Sequence, residues 1–308
     1  MTDSVLVLGA GGFIGKHLVR ALGERGDEVI AVSRRTGESS TSRIEHVSAE
    51  LRSPEDFLPY LDRSRTVVHL ASASTPGSSA GQPLLELEQN LRPTLALLQA
   101  LQQRPHCRLL YLSSAGSLYG DSGGAPAGEH DDVRPRSFHG AAKVAAEQFI
   151  GACCSQFPLS ATVLRPSNVY GPGQGERAGF GIIPAAFGKI LRQETLTIWG
   201  DGSAIRDYLY VDDFVALCLA ILDAPMPPGR QILNASSGVG VRLDDLLERI
   251  EAVSGRSLPR TFAPGRAVDA GRVVIDSTQA QRAYGWTPAT GLTEGLRRTW
   301  QWLSTTPR

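Results

Sequence analysis

Three glycines near the N-terminus follow a short apolar segment at a spacing of three residues. They are Gly9, Gly12 and Gly15, and Phe13 and Ile14 between them open an apolar helical pattern. Glycine permits a sharp turn and a close backbone approach, and the free N–H groups at a helix N-terminus attract phosphate. This strand, turn and helix pattern predicts a site for a dinucleotide pyrophosphate. The alternative is a glycine-rich turn without a ligand.

The end of the next apolar segment bears on which dinucleotide would bind. In NAD enzymes an acidic residue about 20 positions beyond the glycines binds the ribose 2′-hydroxyl. Here the segment ends in Ser33, Arg34 and Arg35. Guanidinium groups match a 2′-phosphate through charge-assisted, bidentate hydrogen bonds. We therefore expect NADP(H) to be preferred, with NAD(H) also accepted; alternatively, the arginines are a solvated surface pair.

Short β-branched runs and helical patterns alternate through the first half of the chain. The runs predict buried strands at residues 5–8, 29–32, 66–70, 109–113 and 162–165. Apolar residues at helical spacing predict helices at residues 14–22, 84–101 and 141–157. This order predicts an α/β fold of the Rossmann type, with a doubly wound parallel sheet.

The character of the sequence changes after about residue 166. A Gly/Pro-rich stretch covers residues 170–181, and shorter, less regular elements follow it. We expect a dinucleotide-binding domain at residues 1–165 and a smaller C-terminal substrate-binding lobe at residues 166–308. Segments 207–214 and 230–234 could return the chain to the first domain, so the two parts are expected to interleave.

The composition limits the class of partner. The chain has 308 residues, is 42% hydrophobic and 20% charged, and carries a formal net charge of +0. Without a basic block, neither nucleic acid nor an anionic membrane is a favoured partner, and a small-molecule substrate fits better. The sequence has no long apolar stretch and no signal-peptide layout, which predicts a cytoplasmic protein. The four cysteines lack metal-ligand spacing, so no metal site is expected.

Six motifs spread along the chain match one known pattern. They lie at residues 9–15 (GAGGFIG), 68–71 (VHLA), 113–120 (SSAGSLYG), 164–172 (LRPSNVYGP), 200–213 (GDGSAIRDYLYVDD) and 284–288 (YGWTP). In these motifs the chain resembles the extended short-chain dehydrogenases/reductases of the NAD-dependent epimerase/dehydratase family, especially the nucleotide-sugar epimerases and dehydratases. The resemblance covers nearly the whole chain.

The resemblance implies positions for the dinucleotide. Glu50 and Leu51 would flank the adenine, and Pro166 and Ser167 would lie near the nicotinamide. The segment after the third predicted strand would follow the dinucleotide with Leu70, Ala71 and Ala73.

The resemblance also implies positions for a substrate diphosphate. Asn168 and Arg206 stand where sugar-nucleotide enzymes hold that group. Asn168 could instead satisfy backbone groups in a turn, and Arg206 could pair with Asp207 or Asp212.

The catalytic motif of the family is changed in this sequence. The family places a tyrosine four residues before a lysine on one helix; here Lys143 is kept and His139 holds the tyrosine position. Ala115, assigned to the substrate side of the site, stands where a serine or threonine is usual, with Ser114 and Ser117 nearby. Lys143 is expected to contact the nicotinamide ribose.

His139 has two open interpretations. An imidazole beside an ammonium group tends to lose its proton, yet it can still donate or relay one near neutral pH. It would then be a proton donor or relay. Alternatively, it packs or contacts the substrate.

Three hypotheses of function follow. In the first, the chain is an NADPH-dependent ketoreductase acting on a polycyclic aromatic polyketide in antibiotic biosynthesis, because the substrate's own phenolate can replace the missing acid. It would then resemble tyrosine-lacking ketoreductases of angucyclinones. In the second, it is a nucleotide-sugar epimerase, dehydratase or reductase that uses His139. In the third, it is a catalytically silent dinucleotide-binding protein.

The oligomeric state is also open. Helices 84–101 and 141–157 resemble those that form a four-helix dimer interface in the family, which favours a homodimer. Their apolar faces could equally be buried against the sheet.

Overall fold

A computed structural model describes residues 3–34, 40–176, 181–266 and 269–305. Within those ranges, no helix is both long and apolar enough to cross a membrane. The chain alternates strands and helices through its first half, as the sequence predicts.

A seven-stranded parallel sheet forms the centre of the fold. Its strand order is β10-β6-β5-β4-β1-β2-β3. The strands are β1 (Ser4–Leu8), β2 (Val29–Ser33), β3 (Ile44–Ser48), β4 (Ser64–His69), β5 (Arg108–Leu112), β6 (Ser160–Pro166) and β10 (Gly229–Ala235). Because β2 and β4 flank β1, the order of the strands reverses there, and ligands of such sheets bind outside the carboxyl ends at that point.

Successive residues of the central strands enter two different apolar cores. In β1, Val5 and Val7 pack into one core, and Leu6 and Leu8 pack into the other. Residues of a strand point alternately to the two faces of the sheet, and here both faces are covered. The strands are therefore apolar throughout instead of alternating with polar residues.

Helices cover both faces of the sheet. On one face α1 (Phe13–Arg25) packs against α8 (Val211–Asp223). On the other face lie α2 (Pro54–Leu61), α4 (Arg92–Gln102) and α6 (Phe138–Gln156). The remaining helices are α3 (Pro83–Glu86), α5 (Ala115–Leu118), α7 (Ile182–Arg192), α9 (Leu243–Ser254), α10 (Thr278–Tyr284) and α11 (Leu292–Thr305).

Two small sheets lie in the second half of the chain. In the first, β9 (Ile205–Tyr210) is paired with β7 (Asn168–Tyr170), β11 (Gly240–Arg242) and β13 (Arg272–Val273). In the second, β8 (Leu196–Trp199) is paired with β12 (Arg260–Ala263). The predicted segment 207–214 thus divides between β9 and α8, whereas segment 230–234 lies in β10 of the central sheet.

The structure confirms the predicted fold class and adds two details. Strand β3 is missing from the prediction because its residues are only partly buried at the edge of the sheet. The predicted helix 84–101 is interrupted by a π-helical turn, Leu87–Leu91, between α3 and α4. Pro93 follows this turn, and because proline lacks an N–H it cannot continue the regular helical ladder.

Candidate active site

The glycines of the turn after β1 lie where the backbone leaves no room for a side chain. Gly9 has φ of +88°, and a Cβ there would lie 2.7 Å from the backbone nitrogen of Ala71. A Cβ on Gly15 would overlap the Gly9 carbonyl oxygen. These approaches bring the start of α1 and the end of β4 together, where the sequence predicts a dinucleotide.

The N-terminus of α1 is open to an anion. Gly12 caps the helix with extended backbone and no capping side chain, and the first turn has no acidic residue. Phe13 and Ile14 are therefore at the start of a helix whose N–H groups and dipole favour a negative group. This helix start, reached through a tight glycine turn, fits the pyrophosphate of a dinucleotide.

The residues expected near the adenosine lie after β2 and β3. Ser33 ends β2 and lies under Gly11, whose Cβ would be 3.3 Å from the Ser33 hydroxyl oxygen. Arg34 is exposed, and Arg35 lies outside the described residues. Glu50 is exposed and forms an ion pair with Arg52 at 2.8 Å, beside the half-buried Leu51.

The segment expected to follow the dinucleotide comes after β4, and the residues expected near the nicotinamide lie at the end of β6. Leu70 donates its N–H to the Leu8 carbonyl at 2.9 Å, and the N–H of Ala73 is bonded to Asn90 Oδ1 at 2.8 Å. Pro166 is the last residue of β6. The hydroxyl of Ser167 donates to Asp207 Oδ1 at 2.9 Å, so it is already engaged by a buried carboxylate.

Helix α6 carries His139 and Lys143 one turn apart, and both side chains are buried. The Ser137 hydroxyl caps the helix by accepting from the Gly140 N–H at 3.1 Å. A Cβ at Gly140 would overlap the Ser117 carbonyl oxygen, so the helix packs directly on the segment after β5. This close approach fixes the position of both side chains.

Lys143 is held at the carboxyl end of β5. Its Nζ donates to the Leu112 carbonyl at 2.7 Å and lies 3.4 Å from the Tyr111 hydroxyl. Burial lowers the pKa of Lys143 to about 8, although the carboxylates of Glu147 and Glu86 act in the opposite direction. The ammonium group is therefore retained at neutral pH but is close to losing its proton.

His139 contacts a buried polar group that the sequence does not single out. Its Nδ1 lies 3.1 Å from Ser74 Oγ and 3.7 Å from Glu86 Oε1. Burial and the charge of Lys143 lower the pKa of His139 to about 4, against an opposing effect of Glu86. The ring is therefore neutral near pH 7. Its Nε2 has no hydrogen-bond partner among the described residues, yet it is not a fully buried atom.

The serines expected near the catalytic position bond to each other. Ser114 precedes α5 and its hydroxyl lies 3.1 Å from that of Ser117. Ala115 is fully buried and belongs to a small apolar cluster. Gly116 faces Asn168, since a Cβ at Gly116 would lie 3.8 Å from Asn168 Oδ1. The α5 segment therefore connects α6 to the residues expected to hold substrate.

Asn168 and Arg206 lie on the paired strands β7 and β9. Asn168 donates to the Asp207 carbonyl at 2.9 Å, which leaves its Oδ1 toward Gly116. Arg206 donates to the carbonyl groups of Ala270 at 2.6 Å and Ile205 at 2.9 Å. It forms no ion pair within the described ranges, so the alternative of pairing with Asp207 or Asp212 is wrong.

No carboxylate of the described residues contacts the charge of Arg206. Burial lowers its pKa, with Tyr208, Asp269 and Asp121 acting in the opposite direction. The neighbouring Asp207 instead accepts from Ser167, Ser237 and Gly238. Among the described residues this cation donates to carbonyl groups, so it is suited to receive an anionic ligand.

Three residues of the site were not predicted: Ser74, Glu86 and Asn90. A signal was available for two of them, because Glu86 and Asn90 are four residues apart within an otherwise leucine-rich helical pattern. Polar residues at that spacing share a helix face. Ser74 carries no comparable signal, because it lies in an irregular segment after β4.

Comparison with known proteins agrees with this arrangement. The family model for the NAD dependent epimerase/dehydratase family matches residues 5–235. This chain belongs to that family. A UDP-glucose 4-epimerase of Mycolicibacterium smegmatis is 31% identical over 308 residues, covering 96% of each chain.

Solved structures show the same similarity. The UDP-glucose 4-epimerase of Thermotoga maritima with UDP-glucose has a TM-score of 0.90 and 28% identity, covering 98% of both chains. MoeE5 in complex with UDP-glucuronic acid and NAD has a TM-score of 0.89 and 32% identity, covering 98% of this chain and 99% of that one.

The first hypothesis of function is wrong. The ketoreductase hypothesis rests on the interpretation that His139 holds the position of the family's catalytic tyrosine. The relative and the structural neighbours described above are nucleotide-sugar epimerases or bind UDP-sugars. They favour the second hypothesis, in which the chain acts on a nucleotide sugar.

Proposed function

We propose that this chain is a nicotinamide-dependent enzyme of the epimerase/dehydratase type that acts on a nucleotide sugar, with His139 as its acid/base. The observation that carries the proposal is the state of His139. The ring is buried one turn before Lys143, Nδ1 is bonded within the protein, and Nε2 is left without a protein partner among the described residues. A neutral ring held in this way can exchange a proton with a sugar hydroxyl.

The dinucleotide would be held by the glycine turn and the ends of the central strands. Gly9, Gly12 and Gly15 allow the tight backbone turn before α1, and the pyrophosphate would bind the N–H groups at the start of that helix. When bound, the nicotinamide supplies hydride acceptance and return. Ser33 and the exposed Arg34 favour a cofactor with a 2′-phosphate, so NADP(H) is the proposed preference.

The other cofactor positions follow the resemblance. Glu50 and Leu51 would flank the adenine, and Pro166 would lie beside the nicotinamide. Lys143 would contact the nicotinamide ribose, because its ammonium group retains a donor beyond those given to the Leu112 carbonyl and the Tyr111 hydroxyl.

The nucleotide diphosphate of the substrate would bind Asn168 and Arg206. Arg206 supplies a guanidinium group with no contacting carboxylate among the described residues, and Asn168 is fixed by the Asp207 carbonyl. Ser114 and Ser117, which lie on the segment between α6 and Asn168, would orient the sugar. Ala115 is fully buried in an apolar cluster and has no proposed contact with the sugar.

The test is a substrate panel. The purified chain is incubated with NAD⁺ or NADP⁺ and with UDP-glucose or UDP-glucuronic acid, and products are followed by mass spectrometry and proton NMR. The expected result is an epimerised, dehydrated or oxidised sugar with transient or net reduction of the cofactor. Tight cofactor binding with no conversion of either sugar, and no change in the nicotinamide spectrum, would contradict the proposal.

We also propose that the chain forms a homodimer. Leu84, Leu87 and Phe149 lie on the helices that resemble the dimer helices of the family, and their side chains are exposed. Light scattering after size-exclusion chromatography should give about twice the mass of one chain, and Phe149→Glu should lower it to that of a monomer.

A further inference from the structure

A closed hydrogen-bond network lies on the inner side of His139. Ser74 Oγ is 3.1 Å from His139 Nδ1 and 2.6 Å from Glu86 Oε1. Asn90 Nδ2 is 2.7 Å from Ser74 Oγ and 2.6 Å from Glu86 Oε2. The side chains of Ser74, Glu86 and His139 are buried. Three side chains from two other segments therefore meet around the hydroxyl group of Ser74.

The direction of each hydrogen bond follows from one backbone contact. Asn90 Oδ1 is 2.8 Å from the N–H of Ala73, which can only donate, so this atom is the amide oxygen. The amide nitrogen of Asn90 therefore faces both Ser74 and Glu86. Since that nitrogen can only donate, Ser74 Oγ accepts from it.

The one proton of Ser74 must then go to Glu86. Burial acts to raise the pKa of the Glu86 carboxyl, but hydrogen bonds led by that from Ser74 lower it below its ordinary value. The carboxyl group is thus ionised, and a 2.6 Å contact between two oxygens requires a proton between them. Only the hydroxyl of Ser74 can supply that proton.

The remaining contact fixes the state of the imidazole. Ser74 Oγ already donates its proton, so the bond to His139 can form only if Nδ1 carries a hydrogen and donates it. In a neutral ring, Nε2 is then the unprotonated nitrogen. The serine hydroxyl is fully used, with one bond donated and two accepted.

We propose that Glu86, acting through Ser74 and Asn90, is a positioning residue that fixes the tautomer of His139 with Nε2 free to accept a proton from the substrate. This rests on the proposed function for the identity of the proton donor, a sugar hydroxyl. The O–H bond of that hydroxyl breaks, its proton passes to Nε2, and the electron pair stays on the oxygen. The positive charge gained by the ring faces the Glu86 carboxylate and is opposed by Lys143.

A single substitution should reverse the direction of the hydrogen bonds in this network and, with it, the tautomer of His139. In Glu86→Gln the side-chain amide must present its oxygen to Asn90, because two amide nitrogens cannot bond to each other. Its nitrogen then donates to Ser74 Oγ, and the proton of Ser74 turns to His139 Nδ1. The hydrogen of the ring moves to Nε2, which can no longer accept a proton.

The test is NMR of the full chain with selectively nitrogen-labelled histidine. The chain has six histidines, and the signal of His139 is assigned by its loss in His139→Phe. The expected result is an Nδ1-protonated ring in the wild type and an Nε2-protonated ring in Glu86→Gln, with turnover of UDP-glucose reduced roughly 100-fold. The matched control is Glu88→Gln, at an exposed residue paired with Arg92. This variant should change neither the tautomer of His139 nor the turnover.

A second variant keeps the test decisive if Glu86→Gln does not fold. Ser74→Ala removes the acceptor of Nδ1 and should give a mixture of both tautomers. An Nε2-protonated wild-type ring, or the same tautomer in wild type and variants, would overturn the proposal. An Nδ1-protonated ring that reverses in Glu86→Gln, in a protein that converts no nucleotide sugar, would instead contradict the proposed function and leave the positioning role of Glu86 standing.

Discussion

Gly140 lies against the carbonyl group of Ser117 with no room for a side chain between them. A Cβ at this position would also come within 3.0 Å of Pro135 Cβ. Helix α6, which carries His139 and Lys143, is therefore placed on the segment after β5 by a backbone contact. The positions of both candidate catalytic side chains depend on this contact.

We predict that Gly140→Ala shifts the start of α6 and lowers turnover at least tenfold. Overpacking of this kind costs about 1–3 kcal/mol, so the free energy of unfolding should fall by a similar amount. Chemical denaturation and steady-state rates measure the two effects. Gly128→Ala is the control, because a Cβ at Gly128 meets no atom within 4 Å; equal effects of the two variants would contradict the role of the Gly140 contact.

Arg206→Met should weaken binding of UDP, which isolates the nucleotide diphosphate from the sugar. Within the described part of the chain the guanidinium group is bonded to carbonyl groups, and it would supply the charge that a diphosphate requires. Loss of a buried charge partner costs about 2–5 kcal/mol, or roughly 30-fold or more in Kd. Isothermal titration calorimetry measures this. The control variant Arg242→Met, at an exposed arginine, should bind UDP with the affinity of the wild type. Unchanged affinity for UDP in Arg206→Met would exclude Arg206 from the site.

Lys143 should make stability depend on pH in the alkaline range. Burial lowers its pKa from 10.5 to about 8 in the folded chain. Between these values the unfolded chain binds a proton that the folded chain lacks, so stability rises with pH there. From pH 7 to 10 the wild type should gain up to about 3 kcal/mol relative to Lys143→Met. Urea denaturation at both pH values measures this gain. The wild type should show no such gain relative to the control variant Lys189→Met.

Arg34→Ala should separate the two dinucleotides. If Arg34 binds a 2′-phosphate, its loss should weaken NADP⁺ binding by about 1.5–3 kcal/mol and leave NAD⁺ binding unchanged. Fluorescence titration of each dinucleotide gives both constants. Arg20→Ala, an exposed arginine on α1, is the control. Equal affinity of the wild type for both dinucleotides, unaffected by Arg34→Ala, would make this arginine a solvated surface residue.

The central fold could be predicted because its strands are buried on both faces. Continuous apolar runs such as residues 5–8 and 162–165 mark such strands directly. Strand β3 has half-buried and exposed residues at the edge of the sheet, so its sequence lacks that signal. The π-helical turn before Pro93 depends on one missing N–H within a long apolar pattern, which periodicity alone does not resolve.

The candidate site could be predicted only where residues share one segment. Gly9 to Gly15 lie on one turn, and His139 and Lys143 share one helix face, so spacing indicates their relation. Ser74, Glu86 and Asn90 reach His139 from other segments through tertiary packing. The contacts of Arg206 also depend on tertiary packing, because its guanidinium group donates to the carbonyl groups of Ala270 and Ile205 and not to a carboxylate.

The most direct measurement is the single-turnover rate of nicotinamide reduction on mixing UDP-glucose with the oxidised holoenzyme, in the wild type and in His139→Phe. The account predicts reduction by the wild type and a rate lowered roughly 100-fold in His139→Phe, with cofactor binding and fold intact. His130→Phe, at an exposed histidine, should react as the wild type does. A rate in His139→Phe equal to that of the wild type would contradict the assignment of His139 as the acid/base.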